Sequence, residues 1–208
     1  MLPPKQSLVR LRGTVTIETK RRQQIEDVAS ALFRERGYAG TSVRDIAQAL
    51  NLQGGSLYAH VASKEDVLWS IVSRAADRFN ELVGPIAASG TPPAERLRGM
   101  IRAHVAVVTS TQRDAAVFLH EWRLLSVDRR AALAARRDAY EAMFRQVIAE
   151  GSAAQVFRPV DARLTAMALL SALNGIATWY RPDGVLSAEE IAGQHADLFL
   201  HALETAPR

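Results

Sequence analysis

The sequence predicts an all-α protein in two parts, a small three-helix unit near the N-terminus and a larger helical bundle behind it. Apolar residues recur at helical spacing along most of the chain, and no convincing period-2 strand pattern interrupts them. Caps and stops divide the first third into short helices and the rest into long, Ala-rich ones. The formal net charge of +4 is also unevenly placed. Residues 1–64 hold ten Lys/Arg against five Asp/Glu, and the remaining 144 hold sixteen against seventeen. A local basic excess is what a phosphate-binding surface requires, although a solvated basic face reads the same way.

The elements follow in order. Residues 1–18 lack periodicity and read as a flexible basic arm. Ile25, Val28, Ala29, Leu32 and Phe33 form one apolar stripe of a helix from about Thr19 to Arg36, which Gly37 ends. Thr41 is expected to cap a second, short helix carrying Val43, Ile46, Ala47 and Leu50. Asn51 to Gly54 suit a tight turn, and a third short helix covers about Gly55 to His60. Ser63 and Asp66 have the form of a capping box that opens a fourth helix, which Gly84-Pro85 is expected to break after Leu82. After a small-residue linker over 87–93, helices are expected at about 92–111, 114–126, 129–151, 161–180 and 188–204. The last is opened by a full capping box at Ser187 and Glu190. The domain reading is 1–18 arm, 19–80 N-terminal unit and 81–208 bundle.

Composition narrows the function. Hydrophobic residues make up 48% and charged residues 23%, as in ordinary globular proteins. No stretch approaches eighteen apolar residues without a charge, so no membrane span is expected. Met1 to Gly13 has no apolar core of a secretory signal. The chain has no cysteine, which excludes disulfides and thiolate metal sites and fits a cytoplasmic location. His120-Glu121 starts a metalloprotease-like H-E-x-x-H, but position 124 is Leu124. His60, His104, His120, His195 and His201 are not spaced as a ligand set. Phosphate-binding glycine loops and a G-x-S-x-G nucleophile elbow are missing from the sequence. No catalytic residue and no metal is expected.

Three short helices with a tight turn before the third form a helix-turn-helix unit. Its third helix must present small or polar residues to base edges in its first turn, and Gln53, Gly54, Gly55 and Ser56 occupy that place. Gln bonds adenine bidentately, Ser bonds either way, and the glycines allow close backbone approach. Leu57 is the expected core anchor. Tyr58 and His60 point outward toward phosphate oxygens, and Lys64 sits at the start of the following helix.

The run Thr41-Ser42-Val43-Arg44-Asp45-Ile46-Ala47, the run Gly55 to Leu68, and the preceding Ala31 to Tyr38 together resemble the DNA-binding domain of the tetracycline-repressor (TetR) family. The resemblance covers about residues 19–80. Val61 stands where the family usually has Phe, which is expected to loosen packing under the third helix. The resemblance implies that Thr41, Tyr58, His60 and Lys64 clamp phosphates, and that Ser42, Arg44, Gln53, Gly54, Gly55 and Ser56 lie at the groove. It also implies a homodimer on a palindromic double-stranded operator, with a small-molecule effector bound in the bundle.

The family dimerises through its last two long helices. That assigns Leu164, Met167, Ser171, Ala172 and Gly175, with Ile191, His195, Leu198 and Phe199, to the subunit interface. Internal core is the alternative from spacing alone. Phe118 to Leu125 and Trp179 to Gly184 resemble a branch of the family whose members answer to coenzyme A thioesters of fatty or cyclic acids. The expected ligand residues are Phe118, Trp122, Arg123, Tyr140, Phe144, Asn174 and Trp179, although each aromatic reads equally as plain core. The expected inducer is an acyl-CoA, with no resident cofactor. Arg123, Arg129, Arg130, Arg136, Arg137 and Arg181 supply cations for its phosphates.

Overall fold

The computed structural model describes residues 6–52 and 57–205. The described α-helices are α1 (Gln6–Arg36), α2 (Val43–Ala49), α3 (Lys64–Ala87), α4 (Pro93–Ser110), α5 (Gln112–His120), α6 (Val127–Ala153), α7 (Ala162–Trp179) and α8 (Ala188–Leu203). A single 3-10 turn, Trp122–Leu124, joins α5 to α6. No strand occurs among the described residues.

The N-terminal unit closes around Ile25, Ala29, Phe33, Ile46, Leu57, Leu68 and Ile71, all fully or almost fully buried. These residues come from α1, α2, the turn at Leu57 and the start of α3. They fall at the helical spacing that marked each stripe in the sequence. Gly37 ends α1 in the left-handed region at φ +75°, where a side chain is strained, and its N–H donates to Phe33 O at 2.9 Å. Val61 is 6% exposed, so the smaller side chain keeps the core position that the family gives to Phe. The core continues without a break through α3 into Leu97, Met100, Ile101, Phe144, Ile148, Leu169 and Leu173 of the bundle. There α4 lies centrally, against α3, α6, α7 and α8.

Several boundaries differ from those expected. The helix expected from Thr19 begins at Gln6, inside the segment read as an arm. Once a helix is nucleated, each further residue adds a hydrogen bond, so it extends without any apolar stripe to announce it. Ser42, not Thr41, caps α2, with a reciprocal Ser42–Asp45 capping box. Pro85 sits inside the last turn of α3, which runs on to Ala87. There its ring costs one backbone hydrogen bond near an end that frays anyway. Helix α4 opens at Pro93 with Pro92 as its cap. Ser187 forms the full capping box with Glu190 at the start of α8.

Candidate nucleic-acid interface and internal cavity

At the N-terminal end, Ser42 and Arg44 are exposed, and Tyr58 is 57% exposed. Ser42, Val43, Arg44 and Tyr58 border one open groove. The Ser42 bonds hold the Asp45 carboxyl below its usual range, so the cap is ionised at neutral pH. His60 is half-buried, and its Nδ1 has no hydrogen-bond partner among the described residues. Gln53, Gly54, Gly55 and Ser56 lie outside the described residues.

Two expected phosphate clamps are differently engaged. Thr41 is 1% exposed. Its hydroxyl donates inward to Gly37 O at 2.9 Å and stands 3.3 Å from Leu32 O, so it ties the α1–α2 turn and presents nothing to a phosphate. Lys64 Nζ donates to Tyr38 O and Thr41 O, each at 2.8 Å, and lies 4.1 Å from the centroid of the Tyr38 ring. Carbonyls at the end of α1 and in the following turn are partners that an ammonium satisfies well. The cation therefore braces this turn against the start of α3.

Behind this end lies a three-helix polar junction. Glu26 of α1 is 5% exposed. Arg74 of α3 donates to Glu26 Oε2 at 2.7 Å and to Asp114 Oδ2 of α5 at 2.7 and 3.1 Å. Ser70 donates to Glu26 Oε1, and Ser30 donates to Asp114 Oδ1 at 2.6 Å. Farther along, Arg129 pairs with Glu65 and Asp66, Arg136 pairs with Asp77, and the Ser126 N–H donates to Glu65 Oε1 at 3.0 Å. The Arg129 hydrogen bond above all holds the Asp66 carboxyl below its usual range, and Ser126 does the same for Glu65. Helix α3 is thus tied to α1, α5 and α6 by charge.

The bundle holds a half-open cavity of about 240 Å³ between α3, α4, α5, α6 and α7. Phe79, Phe118, Leu119, Met167 and Leu170 supply apolar walls. His104, Tyr140, Asn174, Ser171, Asn80, Arg137 and Glu141 supply polar ones. His104 is 2% exposed, and its Nδ1 pairs with the Tyr140 hydroxyl at 2.9 Å. Burial drives the His104 pKa down to about 3, and the Asn174 side chain opposes this only in part. Burial likewise pushes the Tyr140 hydroxyl well above the ordinary phenol range. Both groups are neutral at physiological pH. Neither His104 Nε2 nor Arg137 Nη1 has a hydrogen-bond partner among the described residues.

From this cavity a stack leads to the surface. The Arg137 guanidinium carbon lies 4.9 Å from the Phe118 ring centroid and 5.1 Å from that of Trp122. The guanidinium carbon of the exposed Arg123 also lies over Trp122, 5.7 Å from its ring centroid. Burial lowers the Arg137 pKa first, and neighbouring Arg123 lowers it further, yet the group remains a cation.

Of the expected ligand residues, Phe118, Tyr140 and Asn174 line the cavity. Phe144 stands behind it, fully buried, with its ring 5.5 Å from that of Tyr140. Trp122 and Arg123 belong to the outward stack. Trp179 is corrected: it is 50% exposed and does not line the cavity. It follows Gly175, Ala172 and Ala168 at i+4, i+7 and i+11, on the outer face of α7. His104 and Phe79 were not expected at the cavity, whereas Arg137, expected among the cations for the phosphates, does line it. For His104 a signal existed, since it continues Leu97, Met100 and Ile101 at core spacing along α4.

Leu164, Met167, Ser171 and Ala172 are exposed on α7, as is Leu198 on α8, with Leu164 and Leu198 63% and 65% exposed. A Cβ added at Gly175 would meet open space. His195 and Phe199 are half-buried, and His195 Nδ1 lies 2.8 Å from Ile191 O. Ile191 is corrected: it is 2% exposed and packs inside its own subunit, because α8 turns that face onto α4. Among the described residues no group of three or more His, Asp or Glu is placed to hold a metal. Among them, too, no helix is long and apolar enough to cross a membrane.

Two family profiles match the chain: "Bacterial regulatory proteins, tetR family" over residues 25–71, and "Tetracyclin repressor-like, C-terminal domain" over residues 90–203. The HTH-type transcriptional repressor KstR2 of Mycobacterium tuberculosis (strain ATCC 25618 / H37Rv) is 30% identical over 182 residues, 86% of this chain and 91% of that protein. Among solved structures, the TetR family transcriptional regulator PfmR from Thermus thermophilus superposes with a TM-score of 0.79 at 36% identity, covering 87% of this chain and 99% of the other. AibR in complex with isovaleryl coenzyme A and operator DNA superposes with a TM-score of 0.78 at 32% identity, covering 88% and 98%.

Two outcomes follow from this geometry. Lys64→Ala removes two charge-assisted bonds to backbone carbonyls and should destabilise the fold by roughly 1.5–3 kcal/mol in urea unfolding, with the salt dependence of DNA binding unchanged. Unchanged stability with a salt slope lowered by about one per subunit would instead restore a phosphate contact. The second outcome concerns His104, which folds neutral and unfolds to a group of ordinary pKa. The unfolded chain therefore binds more protons below about pH 6.5, and stability falls as pH falls. Between pH 7 and pH 5 this group should remove about 2 kcal/mol. In His104→Phe that share of the acid sensitivity should vanish from thermal melts.

Proposed function

The chain belongs to the tetR family of bacterial regulatory proteins and is a DNA-binding transcriptional repressor rather than an enzyme; from that premise we propose that a coenzyme A thioester with a small acyl group is its effector and releases it from its operator. The observation that carries this reading is the cavity with its outward cationic stack. Its volume of about 240 Å³ lies below the roughly 300–1,000 Å³ of pockets that enclose whole drug-sized ligands, so it suits an acyl group and leaves the nucleotide outside. Phe79, Phe118 and Leu170 bury that group at about 0.8 kcal/mol per CH₂. Arg137, with an unpartnered donor, and the exposed Arg123 then meet the phosphates. Arg129 and Arg136 are already paired with α3 acids and do not add to that supply.

Phe79 and Asn80 on the cavity wall belong to the same helix whose first turn carries Lys64 and the start of the DNA-binding core. Phe118 lies on α5, which Asp114 ties to α1. An acyl group that displaces these walls moves the N-terminal unit through both routes. The two ligands then favour different conformations, with a coupling free energy of typically about 1–3 kcal/mol.

The repressor acts as a homodimer on a palindromic site. The outward row Leu164, Ala168, Ala172, Gly175 and Trp179 on α7, with Leu198 on α8, supports a partner subunit there. Two-fold pairing sets the two reading helices about 34–36 Å apart, one turn of DNA.

The effector is checked by titrating the operator complex with short-chain and cyclic acyl-CoAs, their free acids and a lipophilic cation. Thioesters should release the DNA at the lowest concentrations. Release by acid or cation with no response to any thioester would exclude this effector class. For assembly, Ala172→Glu places an unpaired charge at the subunit seam, and sedimentation should show monomers that no longer hold the full site. A monomeric variant with undiminished affinity for the palindrome would overturn the two-fold arrangement.

A further inference from the structure

We propose that the acyl group of the effector carries an oxygen remote from the thioester, a keto or hydroxyl group, which accepts a hydrogen bond from His104 Nε2 inside the cavity. The proposal rests on the acyl-CoA reading above and specifies the class of acyl group.

His104 and Tyr140 form a buried pair with one bond between them, from Nδ1 to the hydroxyl at 2.9 Å. The tautomer is assigned from hydrogen-bond satisfaction. If Nδ1 carried the proton and donated, the buried Tyr140 O–H would be left without an acceptor. If the Tyr140 O–H donates to Nδ1, the phenol is satisfied and the ring proton resides on Nε2. Nε2–H is then a buried donor with no acceptor among the described residues, in a side chain that lines the cavity. Buried donors in folded proteins are nearly always paired. Nothing in a plain hydrocarbon acyl group pairs this one, whereas a carbonyl or hydroxyl oxygen does. The Asn174 side chain lines the same cavity and acts on the imidazole as a hydrogen-bonding group, but no contact to Nε2 has the geometry of a full hydrogen bond, so a ligand oxygen placed there meets both groups.

The position of His104 separates a distal oxygen from the thioester oxygen. Its ring centroid lies 4.8 Å from Phe79, which lies 5.6 Å from Phe118, which in turn stacks under Arg137 at 4.9 Å. The exposed Arg123 follows at Trp122. His104 is thus at the buried end of this series and the cations are at the open end. A ligand with its phosphates at the arginines puts its thioester nearer to them and the far end of its acyl group at His104.

The test is isothermal titration of the full chain with two matched pairs: hexanoyl-CoA with 5-oxohexanoyl-CoA, and cyclohexanecarbonyl-CoA with its 4-oxo derivative. The readout is the affinity ratio of keto member to parent. In the wild-type protein at least one pair should show a ratio of about tenfold or more. In His104→Phe that ratio should fall to about one. In His104→Gln, which keeps an amide donor, part of it should return, and a cooperative melt with retained operator binding certifies the fold of each variant. A ratio near one for both pairs in the wild-type protein overturns the inference while leaving the acyl-CoA reading in place. So does a His104→Phe variant that weakens both members of a pair equally, since Nε2 would then serve the thioester oxygen. If none of the four compounds binds, the effector reading fails and this inference falls with it.

Discussion

One guanidinium fixes the arrangement of this molecule. Arg74 sits between a nearly buried carboxylate on α1 and a second one on α5, and its own helix is α3. Glu26 and Asp114 are largely withdrawn from water and each needs a partner, which the partly exposed Arg74 supplies, so sliding the three helices past one another breaks these pairs. Ser70 and Ser30 occupy further lone pairs of Glu26 and Asp114, which leaves the junction one low-strain geometry. The orientation of the N-terminal unit on the bundle follows from that geometry, and so does the line of α3 from Lys64 to the cavity.

That line gives the internal cavity a route outward. The first turn of α3 is pinned by Lys64 to the α1–α2 turn and by Glu65 and Asp66 to Arg129 and Ser126. The same helix presents Phe79 and Asn80 to the cavity. Packed cores resist continuous deformation, so a change in what the cavity holds is more readily expressed as a shift of a whole helix than as local softening. Any such shift would have to break or carry along the ion pairs of Arg129, Arg136 and Arg74.

The local part of this structure was legible in the sequence. Stripes at Ile25 to Phe33 and Val43 to Leu50 marked α1 and α2, and the capping signals at Ser63 and Ser187 marked two helix starts. Leu57 was expected in the core and is fully buried. Long-range polar organisation was not legible. Glu26, Arg74 and Asp114 lie far apart in sequence and obey no period, so nothing announced their junction. Thr41 and Lys64 carried the right chemistry for phosphate contacts, but carbonyls brought in by the fold of the α1–α2 turn hold both. Trp179 was misplaced because segment resemblance does not specify helix face, whereas its phase relative to Gly175 and Ala172 did. His104 was readable from its core spacing on α4, but ligand-set spacing, which it fails, does not separate a core histidine from a surface one or point to a cavity.

Helix α3 belongs equally to both halves. Its first half buries Val67, Leu68 and Ile71 in the N-terminal unit, and its second half buries Phe79 and Val83 in the bundle, with Arg74 between them. A boundary drawn near residue 80 separates family profiles but not physical bodies. Grafting this reading head onto another sensor, or this sensor under another head, is therefore a question of where inside one helix the inheritance changes. The workable seam lies around Arg74, and each parent must bring its own half of the charge set with it. A head and a sensor of this design are therefore exchanged at least cost as a matched pair rather than as interchangeable parts.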